Sequence, residues 1–241
     1  MKRKLSILSM IAGHSIGKVF WILLAVPVLN GIFFLDRVGD RYRPVYRILD
    51  NSTAFGIFVL CLAAMTLVLC AALRDKGGRQ NYFLHRLKIS PRAVFWNHAL
   101  YNTLCYFLLF AVESITLVGI AFCSSLLFPE SFNQQWLMLE CYMSSMIHIF
   151  FPLSDVLNWV VLLALVAGFG ICTAAMSAMN RRGKRSITPL LMLGTAALYG
   201  HLQLETHALS LDGKVIAICC CVILSLTALW GSIRREVMED A

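Results

Sequence analysis

Charged side chains are scarce in this sequence: Asp, Glu, Lys and Arg make up 14% of its 241 residues, where an ordinary soluble domain carries about 25%. With 59% apolar residues as well, a soluble chain would lack the polar surface to cover itself. Alternating apolar and polar runs are also missing. The apolar blocks are continuous and often exceed a barrel strand, which excludes a membrane β-barrel. Metal signatures are absent. The nine cysteines are odd in number and most lie inside apolar blocks, with no CxxC pair or Cys/His spacing. The run Cys219–Cys221 cannot converge on one ion, because consecutive helical residues point about 100° apart. Small apolar packing residues are the better reading of these cysteines, and no metal or cofactor is expected. No G-x-x-x-x-G-K-[ST] stretch is present, and neither an H-E-x-x-H motif nor a pair of intramembrane aspartates. An ATPase or a membrane-embedded hydrolase is therefore not expected from this chain alone.

What is present is a set of long apolar blocks, the signature of spanning helices. Six can be read, at Val19–Leu35, Ala54–Leu73, Val94–Phe122, Val156–Met179, Ile187–His207 and Val215–Ile233. Each is near or above the roughly 20 residues needed to cross the hydrocarbon. The expected fold is all-α: one polytopic membrane domain over residues 1–241, with six transmembrane helices. The third block is the longest, so it is expected to tilt or project. The fifth is weakened at one end, where Tyr199, His201, Gln203 and Glu205 crowd together. No small-residue cleavage site follows the first block, so it is expected to stay as a span.

Lys and Arg set the orientation. The Met1–Lys18 arm holds four, the Arg74–Arg92 loop six, the Asn180–Ser186 loop four and the tail two. The alternate segments hold five, four of them in Asp36–Thr53, an exception to the bias, and the fifth being Lys214. The positive-inside rule then puts both ends in the cytoplasm, in a cell membrane. Trp136–Phe151 is apolar enough for a short seventh span, but that would place Arg181, Arg182, Lys184 and Arg185 outside. With Glu140, His148 and the flanking Pro129 and Pro152, it reads instead as an outer interfacial or re-entrant helix between spans three and four.

Several residues invite chemistry. Gly13-His14-Ser15-Ile16-Gly17 matches the G-x-S-x-G nucleophile elbow, which needs a preceding strand and a surrounding α/β sheet. A basic arm ahead of a span supplies neither. Two glycines and a serine breaking an interfacial helix explain it better. Within the arm, Leu5, Leu8, Ala12, Ile16 and Val19 form a rough helical stripe, and Lys2, Arg3, Lys4 and Lys18 can reach lipid phosphates. An N-terminal amphipathic interfacial helix is expected at residues 1–18.

Glu113 is the charged residue placed deep inside a span. It must face a bundle interior, a subunit interface or water, either as a structural hydrogen-bonding group or on a transport path. Asn102 and His98 lie on the same helix toward its cytoplasmic end and complete the intramembrane polar candidates. The loop Arg74–Arg92 combines a glycine turn with an apolar segment, Tyr82, Phe83, Leu84 and Leu87, among His85, Arg86 and Lys88. Ser90-Pro91 then reads as a helix start, with Ser90 as N-cap and Pro91 at the first helical position. A short helix under the bundle would be a lever for a partner; the plainer reading is a basic loop on anionic lipid heads.

On these residues the chain resembles the permease subunits of ABC exporters of the second type. The basic arm is similar to their connecting helix. Leu87-Lys88-Ile89-Ser90-Pro91-Arg92 stands where that family carries a Leu-Pro-Ile-Ser-Arg-like stretch, with Lys88 where proline is common. Gly168-Phe169-Gly170-Ile171-Cys172-Thr173-Ala174-Ala175-Met176-Ser177 before Asn180-Arg181-Arg182 resembles the family's small-residue span running into a basic loop, where small residues permit close packing. The resemblance covers most of the chain as topology and Tyr82–His98 as sequence.

It implies a dimer of six-span subunits, identical or sibling, on an ATP-binding cassette partner that holds ATP and magnesium. Tyr82, Phe83, Leu84, His85, Arg86, Leu87 and Lys88 would form the ATPase-coupling loop. The cargo would be an antimicrobial peptide, lipid or drug moved outward. Membrane lipids are the other expected partners, and nucleic acid is not one. The rival readings are an ion-coupled carrier, a non-transporting membrane scaffold and, further off, an intramembrane enzyme. Carriers usually show inverted repeats and broken helices at matching positions, and none is evident in the sequence.

Overall fold

The computed structural model describes residues 2–37, 50, 52–71, 90–127, 134–152, 155–181, 186–206 and 210–239. Among them are eight helices: α1 (Lys2–Arg37), α2 (Ser52–Ala71), α3 (Pro91–Leu127), α4 (Gln134–Met143), α5 (Ser145–Phe150), α6 (Val156–Arg181), α7 (Thr188–Thr206) and α8 (Leu211–Glu239). The described residues contain no strand. Five segments are long and apolar enough to cross a membrane: Ser15–Asp36, Thr53–Ala71, Arg92–Ser124, Val156–Asn180 and Leu211–Ser232. Chains of apolar helices satisfy their backbone hydrogen bonds internally, which is what the hydrocarbon demands.

The expected fifth span is present as the 19-residue α7, but it is not among those five. The polar residues that weaken the block in the sequence are the physical reason. His201 and Glu205 pair across one turn on its exposed face, 3.2 Å apart. The expected break of the N-terminal interfacial helix at its two glycines and serine does not occur: α1 runs unbroken through Gly13 and Gly17. Each glycine costs a helix about 1 kcal/mol. Interrupting the hydrogen-bond ladder beside an apolar span costs more, so the helix continues.

Trp136–Phe151 is divided by Ser144 into α4, of 10 residues, and α5, of 6. A 10-residue helix is about 15 Å long, so neither can cross the hydrocarbon. The break has a visible cause. Ser144 is in an extended conformation and caps α5, and its hydroxyl donates to Asp50 Oδ1 at 2.7 Å. The Asp50 carboxylate also accepts from the Ser145 and Met146 amides, at 3.1 and 3.0 Å. Those amides have no partner within the helix, so a carboxylate from the start of α2 fixes where α5 begins. Beyond it, the Phe150 ring packs edge-on to Phe58 of α2 at 4.5 Å and lies 5.8 Å from Phe110 of α3.

α3 is the central helix, packed against α1, α2 and α6. Its contact with α6 is close because of Gly170. A Cβ there would lie 2.0 Å from Thr103 Oγ1 and 2.9 Å from the Thr103 backbone nitrogen. Tyr106 and Phe169, both fully buried, stack across the same seam with ring centroids 4.9 Å apart. The outer faces are apolar instead of charged: Phe20, Trp21, Leu24 and Ile32 on α1, and Ile216, Ile223, Leu226 and Trp230 on α8, are all exposed. Contiguous faces of this kind suit lipid or another membrane helix, not water.

Candidate functional site

The polar side chains turned into the bundle separate into three layers. Toward one end, Ser15 of α1 and Tyr101 of α3 join their hydroxyls at 2.8 Å. Ser15 therefore sits in a helix-to-helix contact, not on the strand-to-helix turn that a nucleophile elbow requires. At the next residue of α3, Asn102 Nδ2 donates to Thr173 Oγ1 of α6 at 2.9 Å, and about a turn further Tyr106 donates to Thr66 of α2 at 3.0 Å. Ser177 of α6 donates to the Leu69 carbonyl at 3.2 Å. His98 is buried one turn below Asn102. Such bonds between helices are the glue of a membrane bundle, each contributing about 0.6–2 kcal/mol.

The second layer is Glu113. Its side chain is 0% exposed and that of Asn30, on α1, is 2% exposed. Asn30 Nδ2 lies 3.1 Å from Oε1 and 3.0 Å from Oε2, so one amide nitrogen serves both carboxyl oxygens. Asn30 Oδ1 is buried and has no hydrogen-bond partner among the described residues. Cys61 of α2 is the titratable side chain that lies within the field of Glu113. The pair joins α1 to α3 across a sequence separation of 83 residues.

At the other end, Asp155, just ahead of α6, forms an ion pair with Lys214 of α8. Tyr199 of α7 donates to Asn158 Oδ1 at 3.3 Å. These contacts tie the ends of α6, α7 and α8 together. The hydrogen bond from Lys214, then that from the Leu157 amide, hold the Asp155 carboxyl below its ordinary value.

The structure does not gather the three expected intramembrane polar residues into one site. Glu113 and Asn102 are eleven residues apart on α3, a rise of about 16 Å. They face different partners, α1 and α6. The expected coupling residues Tyr82 to Lys88 lie outside the described residues. Where the description resumes, α3 does begin at Pro91: the Ala93 amide donates to the Ser90 carbonyl at 3.0 Å and lies 3.4 Å from its hydroxyl. No cluster of His, Cys, Asp and Glu able to hold a metal ion occurs among the described residues. Sequence reasoning passed over Asn30 and Asp50. The signal for Asn30 was available: an amide inside an apolar block needs a partner as much as a charge does. Asp50 gave none, since an acid in a polar loop is ordinarily solvated.

Chemically, the Glu113–Asn30 pair places one ionisable group against one amide between two helices. The other polar contacts fasten helices to one another. No family model, no curated protein and no solved structure matches this chain.

Proposed function

We propose that the chain is the membrane subunit of an ATP-driven exporter of the ABC type, moving a peptide, lipid or drug-like substrate outward while a separate subunit hydrolyses ATP. The observation that carries the reading is α3. It starts at Pro91, at the end of the basic loop, and continues for 37 residues as one helix. At about 1.5 Å per residue it is some 55 Å long, well beyond a hydrocarbon layer of about 30 Å. It packs on α1, α2 and α6 and carries Glu113. A push on its basic end would therefore be delivered to the interior of the bundle.

In this reading α7 is the fifth of six spans, sheltered by its contacts with α2, α6 and α8. The α4–α5 pair is a re-entrant element on the outer side, because Phe150 reaches Phe58 and Phe110 inside the bundle. The basic first turns of α1 rest on cytoplasmic lipid heads, and both termini are cytoplasmic in the plasma membrane. A second six-span copy or sibling completes the assembly. One observation favours an ion-coupled carrier instead, namely the buried Glu113–Asn30 pair. The two readings separate on purification.

Tagged chain extracted from its own membranes in mild detergent should retain a stoichiometric subunit with a Walker motif. Changing Phe83→Asp together with Leu84→Asp should release that subunit while leaving the chain folded. A chain that purifies alone, with activity indifferent to ATP, refutes the exporter reading.

A further inference from the structure

A carboxylate in an apolar interior is tolerable when its charge is met by a cation or by several donors. Glu113 has neither among the described residues. A single neutral amide nitrogen bridges both of its oxygens, at 3.1 and 3.0 Å, while the amide oxygen of the same Asn30 has no partner. One proton resolves both deficits. With a hydrogen on one oxygen, Glu113 can donate to Asn30 Oδ1 while Asn30 Nδ2 donates to the other oxygen. That gives two parallel hydrogen bonds and leaves neither group uncompensated. The change needs only a turn about the terminal torsion of Asn30, which is soft and roughly two-fold.

The surroundings support a proton over a metal ion. On α2, Cys61 is buried and within electrostatic reach of Glu113. From α5, the neighbouring contact is a backbone carbonyl, Phe150 O, which accepts from Ser114 at 3.3 Å. Of the titratable groups on the other elements, two are engaged elsewhere. His148 of α5 bonds to the Tyr142 carbonyl oxygen, and Asp155 by α6 to Lys214. Burial and Asn30 are the influences acting on Glu113. A metal ion would ask for several charged or oxygen ligands at one point, and among the described residues no group of His, Cys, Asp and Glu able to hold one occurs.

We infer that Glu113 and Asn30 form a proton-binding joint between α1 and α3, closed as an acid–amide pair when the proton is on and opened when it leaves. The joint does not depend on the exporter reading, since it rests on the α1–α3 contact alone.

The test is infrared spectroscopy of the full chain in phosphatidylcholine vesicles, titrated from pH 5 to pH 10. At pH 7 the solvated carboxyls are ionised, so a protonated-carboxyl C=O band should be present, should vanish in Glu113→Gln, and should shift to higher frequency in Asn30→Leu. Glu113→Gln keeps an amide–amide pair, so its thermal stability should match that of the unaltered chain. The band should be the same in sodium and in choline chloride. A spectrum at pH 7 in which Glu113→Gln removes carboxylate bands only would overturn the inference. So would a band that sodium abolishes, since a metal ion would then be the occupant.

Discussion

Replacing Gly170 with alanine should destabilise the bundle, although the same change at Gly119 of α3 should not. Alanine at a helical glycine ordinarily gains up to about 1 kcal/mol. At Gly170 the added methyl would stand 2.0 Å from Thr103 Oγ1 and 2.9 Å from the Thr103 amide nitrogen. The hydroxyl could rotate away, giving up its 2.8 Å bond to the Ala99 carbonyl. The backbone nitrogen cannot. Restoring ordinary van der Waals distance requires α3 and α6 to separate by about 0.5 Å, and overpacking of this kind costs about 1–3 kcal/mol. The net expectation is a loss of up to about 2 kcal/mol after subtracting the helix gain. Gly119 on α3 provides the control, because a methyl there meets nothing within 4 Å. Equilibrium unfolding in mixed micelles should place the Gly170→Ala midpoint below the unaltered chain and Gly119→Ala at or above it. Adding Thr103→Ala to Gly170→Ala should recover part of the loss and not all of it, since the backbone contact remains. If Gly170→Ala and Gly119→Ala unfold alike, the close α3–α6 contact is not as described.

Three further outcomes follow from the described contacts. Asp155 is held below its ordinary carboxyl value by Lys214, so it contributes stability above that value and loses the contribution as pH falls through its lowered one. Unfolding midpoints should drop as pH is taken below about 4, and Asp155→Asn should flatten that drop; an unchanged acid profile would mean the pair contributes nothing. Asp50→Ala removes the acceptor for Ser144, Ser145 and Met146. It should cost about 2 kcal/mol and speed hydrogen exchange in α5 ahead of α2, and equal exchange in both variants would refute the capping role. Tyr106→Phe, Thr66→Val and their double variant should show a coupling of about 0.5–1.5 kcal/mol in a double-mutant cycle; a coupling of zero would mean the 3.0 Å bond is replaced without loss.

The apolar blocks were enough to locate five membrane-length helices because hydrocarbon leaves the backbone no alternative to the helix. Helix starts that depend on local chemistry were legible too: Ser90 precedes α3 and Pro91 is its first residue. The weak fifth block foretold the polar C-terminal end of α7. What escaped depends on partners distant in sequence. The division at Ser144 is fixed by Asp50, 94 residues away. Asn30 becomes informative once α1 lies against α3 and meets Glu113. The glycines at 13 and 17 misled, since their local cost is smaller than the cost of breaking a ladder beside an apolar span. Cys61, Cys70, Cys105, Cys172 and Cys221 are buried and free, in line with packing residues.

The proposed exporter function requires that ATP hydrolysis in a partner be delivered through α3 to the bundle, which would shift α3 relative to the packed α1. Nitroxide labels at Leu24 on α1 and Phe107 on α3, both exposed on the bundle surface, allow the distance between the helices to be measured by pulsed electron resonance in vesicles. With the co-purified partner present, adding ATP and magnesium should shift the distance distribution, and Phe83→Asp with Leu84→Asp should abolish the shift. A distribution that stays fixed while ATP is being hydrolysed would contradict the account.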